Sequence, residues 1–158
     1  MTIIRYKNKG FTLIELLVSM GIMAVLTGLA VFNFNQSRVR ARDVRRKSDV
    51  SQLQKAMEVY RNDNNQYPAY DANFNNVQTV LKNAGYIKDI FHDPRESEWV
   101  GYSYKPENSN KIYYLMTCLE NTADTTKTTD LAQCQKFSGD TGTCECSSGG
   151  VMYILTQP

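Results

Sequence analysis

Proline is scarce in this chain of 158 residues: there are four, and none before Pro68. Nothing in the first third therefore obliges a helix to stop, since proline is the residue that breaks one most forcibly. Cysteine is absent before Cys118, and all four cysteines fall between there and Cys146. The one histidine, His92, has no cysteine, serine or acidic cluster at a telling spacing. No phosphate-cradling glycine loop or cofactor motif is present either, so nothing points to an enzyme. A net charge of +2 argues against a strongly basic nucleic-acid binder. What is present is concentrated: the 24 residues from Phe11 to Phe34 carry a single charge, Glu15. That run excludes a wholly soluble globule and a disordered chain alike.

Charge divides the chain into pieces. Arg5, Lys7 and Lys9 give the first ten residues +3. Residues 38–47 hold six basic residues and Asp43, for +5, while residues 48–158 hold nine basic and fourteen acidic residues, for −5. The order is a basic leader, an apolar rod, a basic collar and an acidic body.

A bilayer core needs roughly 20 apolar residues as a helix, so the run is long enough to span one. Leu13, Ile14, Leu16, Leu17, Ile22, Met23, Leu26 and Leu29 make it apolar nearly all round. A cleaved secretory signal has a shorter core and an Ala-x-Ala-like site, and neither applies here. Counting basic residues on the two sides, three before and six after, would by itself leave the body in the cytoplasm. Four cysteines in one loop-rich segment suit an oxidising compartment instead. A charged side chain in a bilayer costs about 2.5–3.5 kcal/mol on insertion scales, so Glu15 needs a partner. Thr12, Glu15 and Ser19 fall at helical spacing and predict a short polar stripe.

The stretch Lys7-Asn8-Lys9-Gly10-Phe11-Thr12-Leu13-Ile14-Glu15-Leu16-Leu17 closely resembles the processing site of type IV prepilins and type II secretion pseudopilins. The likeness is close over about the first 35 residues. It implies cleavage between Gly10 and Phe11 by a membrane-embedded prepilin peptidase, N-methylation of Phe11, a cytoplasmic leader and an extracytoplasmic body. It also implies a helical homo-oligomeric filament, raised by an inner-membrane platform with ATPase-driven machinery, in which Glu15 of one subunit pairs with the Phe11 amine of another. Before assembly the rod would sit in membrane lipid. Pilins of this kind often carry a proline about twenty residues into the mature helix, and Leu29 to Phe34 has none.

The expected fold is α+β and type IV pilin-like: a long N-terminal helix packed on a small antiparallel sheet. Three segments follow: a leader at 1–10; a helix at 11–64, with an assembly half to 34 and an amphipathic half beyond; and a head at 65–158. Val50, Leu53, Met57 and Tyr60 recur at i, i+3, i+7 and i+10, which predicts packing against the chain's own head, with a seam between subunits as the competing reading. The collar is expected to meet anionic headgroups or the acidic body of a neighbour; DNA has no aromatic interleaving to support it, so nucleic acid is not an expected partner. A short helix is expected from Val77 to Asn83, strands at Trp99 to Tyr104, Ile112 to Leu119 and Val151 to Leu155, and a turn from Lys105 to Asn110.

Residues 120–149 read as a long excursion stapled by Cys118, Cys134, Cys144 and Cys146. Cys144 with Cys146 is strained by its single intervening residue. The favoured pairing is Cys118–Cys146 with Cys134–Cys144, and the crossed pairing, Cys118–Cys144 with Cys134–Cys146, stays open. Zinc on four thiolates would want Cys-x₂-Cys knuckles, which these spacings lack. Asp124, Asp130, Asp140 and Glu145 share the excursion, and because some major pseudopilins bind calcium in a C-terminal loop the resemblance keeps that ion in view. Their spacing matches no calcium loop, and no other cofactor is expected. Three functions compete: a type IV pilus subunit, a pseudopilin of a secretion or competence system, and an anchored binding module that never polymerises.

Overall fold

The computed structural model describes residues 10–69, 74–95, 98–138 and 144–157, with the backbone alone at residues 30–33. The leader expected at 1–10 lies outside the described residues apart from Gly10. The chain divides into two compact units, residues 1–38 and 39–158, and helix α1, Leu13–Asn64, supplies residues to both.

In the first unit the described side chains of α1 are exposed throughout, from Leu13 and Leu17 to Leu29. The helix is long and apolar enough to cross a membrane. It begins two residues after Phe11 because Thr12 caps it, as described below.

In the second unit α1 has one buried stripe. Val50, Leu53, Ala56 and Met57 are buried at helical spacing, and Tyr60 packs against the same cluster. Asn65 closes the helix from the left-handed region, at φ 59°, with its N–H donating to the Arg61 carbonyl at 2.7 Å. Asparagine tolerates that backbone and here takes the place glycine usually holds. Helix α2, Phe74–Asn83, begins three residues before the expected Val77 and buries Phe74, Val77, Gln78 and Leu81 against α1 and the sheet. Gly85, at φ 82°, turns the chain out of it.

The sheet has three antiparallel strands in the order β1 (Ser103–Glu107), β2 (Ile112–Leu119), β3 (Val151–Thr156). The first strand differs from expectation: it starts at Ser103, not Trp99, and it includes Lys105 and Pro106, which had read as turn. Pro106 is tolerated because β1 is an edge strand, where a missing N–H costs least. The turn is shorter and sits later, with Asn108, Ser109 and Asn110 all at positive φ. Trp99 is packed beneath the sheet instead, its indole N–H donating to the Cys118 carbonyl at 2.9 Å.

Alternation along β2 separates two cores. Tyr113 and Leu115 face α1 and α2, while Met116 and Cys118 face the other way. The second face is covered by helix α3, Leu131–Ser138, whose Cys134 and Phe137 join Met116, Met152 and Ile154. This helix lies inside the cysteine-stapled excursion expected at 120–149, for which no helix was expected. Two disulfides hold it: Cys118–Cys146, 28 residues apart, and Cys134–Cys144, 10 apart. The excursion also covers the free edge of β3, through a bridge from Glu145 to Val151 and the Thr128 N–H donating to the Met152 carbonyl at 2.9 Å.

Candidate functional site

On the described side, the junction expected between Gly10 and Phe11 is open. Phe11 is 89% exposed, and a Cβ placed on Gly10 would meet nothing within 4 Å. Behind it Thr12 and Glu15 form a reciprocal cap. The Thr12 N–H and hydroxyl donate to Glu15 Oε2 at 2.8 and 2.6 Å, and the Glu15 N–H donates back to the threonine oxygen at 3.3 Å. Two otherwise orphaned helix-end donors are thereby satisfied, which is why α1 starts where it does. Both Thr12 donors go to one carboxylate oxygen; among the described residues Oε1 accepts no hydrogen bond. Ser19, the third member of the expected stripe, donates to the Leu16 carbonyl at 2.9 Å and does not join the pair. The stripe is thus a cap plus one separate hydroxyl. The pattern Thr-x-x-Glu before an apolar run is legible as a capping box, a signal that the charge argument for Glu15 overlooked.

The collar differs from expectation more strongly. Three of its six basic side chains turn into their own head. Arg46 is fully buried and grips Asp93 with two hydrogen bonds, Nε to Oδ2 at 2.6 Å and Nη2 to Oδ1 at 2.9 Å. Its Nη1 also donates to Asp43 at 2.9 Å and to Glu120 at 2.7 Å. Arg42 holds both oxygens of Glu120 at 2.7 and 2.6 Å, and Lys47 donates to Asp124 at 2.6 Å. Asp43 in turn accepts the backbone N–H groups of Glu120 and Asn121, each at 2.9 Å. The physical reason is desolvation: three carboxylates carried into the head need cations, and Arg46 presents a planar fork that serves all three. Arg40 and Arg45 remain exposed, and within the first unit Arg38 lies 5.1 Å over the Phe34 ring.

This network was missed in the sequence. Its signals were Asp43, the one acid inside the collar and three residues before Arg46, and Asp93 ahead of Pro94. Its electrostatics follow from the contacts. Hydrogen bonds from Arg42 hold the Glu120 carboxyl down at about 2 against the opposing effect of burial, with Arg46 adding to the pull. Lys47 and then Thr126 do the same for Asp124, also to about 2. For Arg46 burial opposes its charge, and the hydrogen bonds to Asp93 and Glu120 outweigh it, so the guanidinium stays firmly protonated.

The acids of the excursion are dispersed. Asp124 is taken by Lys47, Asp130 accepts the Ala132 N–H at 3.0 Å at the start of α3, Glu145 lies in the bridge to β3, and Asp140 is outside the described residues. Among the described residues no group of three or more histidine, cysteine or acidic side chains converges to hold a metal ion.

The comparisons agree with the junction. The family described as the prokaryotic N-terminal methylation motif matches residues 5–31. The type II secretion system core protein G of Pectobacterium carotovorum subsp. carotovorum is 33% identical over 98 residues, 56% of this chain, and the chain spans only 63% of that relative's length. The core protein G of Aeromonas hydrophila is 31% identical over 97 residues, 56% of this chain and 68% of its own. The type IV wide pilus major component PilA4 of Thermus thermophilus is 39% identical over 64 residues, 40% of this chain and 49% of its own. No solved structure matches the chain at a significant level. Pilin-like chains are structural subunits, and an apolar helix behind this motif fits a membrane-anchored precursor that passes into a surface filament. With that motif at its head, a pilin-like α+β body behind it and this coverage of a relative above 30% identity, the chain belongs to the type II secretion system core protein G family of pseudopilins.

Proposed function

We propose that this chain is the repeating subunit of a short pilus-like filament in a type II secretion machine. A prepilin peptidase cuts between Gly10 and Phe11 and methylates the new Phe11 amine, and the processed chain waits in the membrane until an assembly platform adds it to the filament. Glu15 of one subunit then takes the Phe11 amine of another. The observation that carries this reading is the Thr12–Glu15 cap. It fixes the carboxylate one turn behind Phe11 through Oε2 alone, and among the described residues Oε1 accepts no hydrogen bond. Two buried charges that are satisfied in only one register would set the axial stagger of the filament.

The pairing is tested with Glu15→Gln, which keeps the shape and the Thr12 contacts but removes the charge. Processing should be unaltered while filament yield falls at least tenfold. Unchanged filament yield would refute the pairing, and unchanged yield with Glu15→Leu as well would leave Glu15 with the capping role alone. A second reading, a surface-exposed type IV pilus, is supported by the two disulfides that brace the head and by the wide-pilus relative. It differs in one outcome: mature chain in sheared extracellular material without overproduction.

A further inference from the structure

A groove of about 480 Å³ runs between α1 and the segment after α2, floored by Ala56, Ile87 and Phe91 and edged by Val59. Val59 is 52% exposed, a large apolar side chain with nothing over it. Lys55, Lys88 and Asp89 line the same groove; Asp89 pairs with Lys82 at 3.5 Å, while the two lysines are exposed and without an ion pair among the described residues. The groove is held in shape. Gln78, itself buried, donates to the Phe91 carbonyl at 3.2 Å and accepts the Phe91 N–H at 2.8 Å. Tyr86, at one wall, donates to Asp63 at 2.8 Å and packs edge-on to Tyr60.

The complementary feature is at the start of α3. Leu131, at the first position of α3, is 53% exposed. Asp130 stands exposed beside it, its carboxylate fixed by the Ala132 N–H. The groove lies on the α1 and α2 side of the sheet and α3 lies on the other, so one chain cannot bring its own two features together.

We infer that Leu131 and Asp130 of one copy dock into this groove of the next copy, Leu131 against Val59 and Phe91 and Asp130 toward Lys55 and Lys88. The inference rests on the filament reading above and names the head-to-head contact within it. An apolar knob with an acid meets an apolar groove with two cations, so shape and charge agree. Because the two surfaces are different and lie on opposite faces, the contact is heterologous and repeats from copy to copy instead of closing as a dimer.

The test is photo-cross-linking in the full chain, with benzoylphenylalanine replacing Val59, under conditions where the unsubstituted chain forms filaments. After irradiation, reduction and trypsin, the cross-linked peptide should be residues 128–136, which carry Asp130 and Leu131. Filaments whose cross-link maps to another peptide overturn the contact and leave the filament reading standing. Failure of the unsubstituted chain to form filaments overturns both. An independent variant, Leu131→Asp, should lower filament yield at least tenfold with both disulfides formed and the thermal midpoint of the membrane-extracted chain unchanged. Undiminished yield contradicts the inference even if the bulky ketone at position 59 blocks assembly.

Discussion

The two stretches of α1 are made of similar residues and meet opposite fates. From Leu13 to Leu29 the leucines and methionines stay exposed, and they occur nearly all round the helix. From Val50 to Met57 the apolar residues are confined to one stripe, and that stripe is buried to within a few per cent. A helix with no polar face has no side to leave in water, so it needs an apolar surrounding on every side, lipid or neighbouring helices. A helix with one apolar stripe is satisfied by a single sheet and stops there. Burial in the second stretch comes from the chain's own head, while burial in the first has to be supplied by other molecules. That contrast makes the second stretch the foundation of a folded domain and leaves the first as a helix long and apolar enough to cross a membrane.

The charges repeat the contrast. Glu15 keeps one carboxylate oxygen open among the described residues, whereas Glu120 accepts from three arginines. Removing a buried partner from such a network strands the remaining charges. Arg46→Ala should therefore destabilise the head by about 3–5 kcal/mol, read as a large drop in the denaturant midpoint, with any residual fold lacking protection in amide exchange around Asp93 and Glu120. Arg46→Lys should recover only part of this, because one ammonium cannot span Asp93, Asp43 and Glu120 together.

The apolar contrast is broken or sharpened by paired truncations. Met57→Ala removes a fully buried side chain and should cost the head about 2–5 kcal/mol. Leu17→Ala, at 61% exposure, should leave head stability within about 0.5 kcal/mol and act on filament yield instead. Equal losses of head stability from the two would erase the distinction between the stretches.

A pH scan probes the charged contrast with a smaller effect. The Glu120 and Asp124 carboxyls are held down near 2 in the folded head, below their ordinary values. A depressed carboxylate contributes stability that is fully present above its unfolded pKa and is lost as pH falls through the folded one. Head stability should thus be flat down to about pH 5 and decline between there and about pH 2, and Glu120→Gln should shallow that decline. The smallest effect is expected at the helix start: Thr12→Ala loses the reciprocal cap and should cost about 1 kcal/mol of local helix stability, seen as faster amide exchange at Glu15 and Leu16 without change in the head.

Legibility in the sequence followed the range of the interaction. The stripe of α1 at Val50, Leu53 and Met57, and strand β2, rest on local periodicity, and the sequence shows that directly. Strand β1 did not read correctly because Pro106 signals a turn unless the strand is known to lie at an edge, and edge position is a property of the whole sheet. Helix α3 was hidden because its eight residues have only modest amphipathic character and gain their place from Cys134 and Phe137 packing on a distant face. The Arg46 network was hidden for the same reason: its partners lie 47 and 74 residues away in the chain. At the junction, Gly10, Phe11 and Glu15 were visible as a motif, but the capping role of Glu15 emerged only with the Thr12 contacts in view.

The most direct test of the account is the intact mass of the chain recovered from membranes and from sheared material of cells that make the prepilin peptidase, before and after reduction. The account predicts a species that begins at methylated Phe11 and gains the mass of four hydrogen atoms on reduction, one pair for each disulfide. A chain that still carries residues 1–10 in cells that process other prepilins would contradict it.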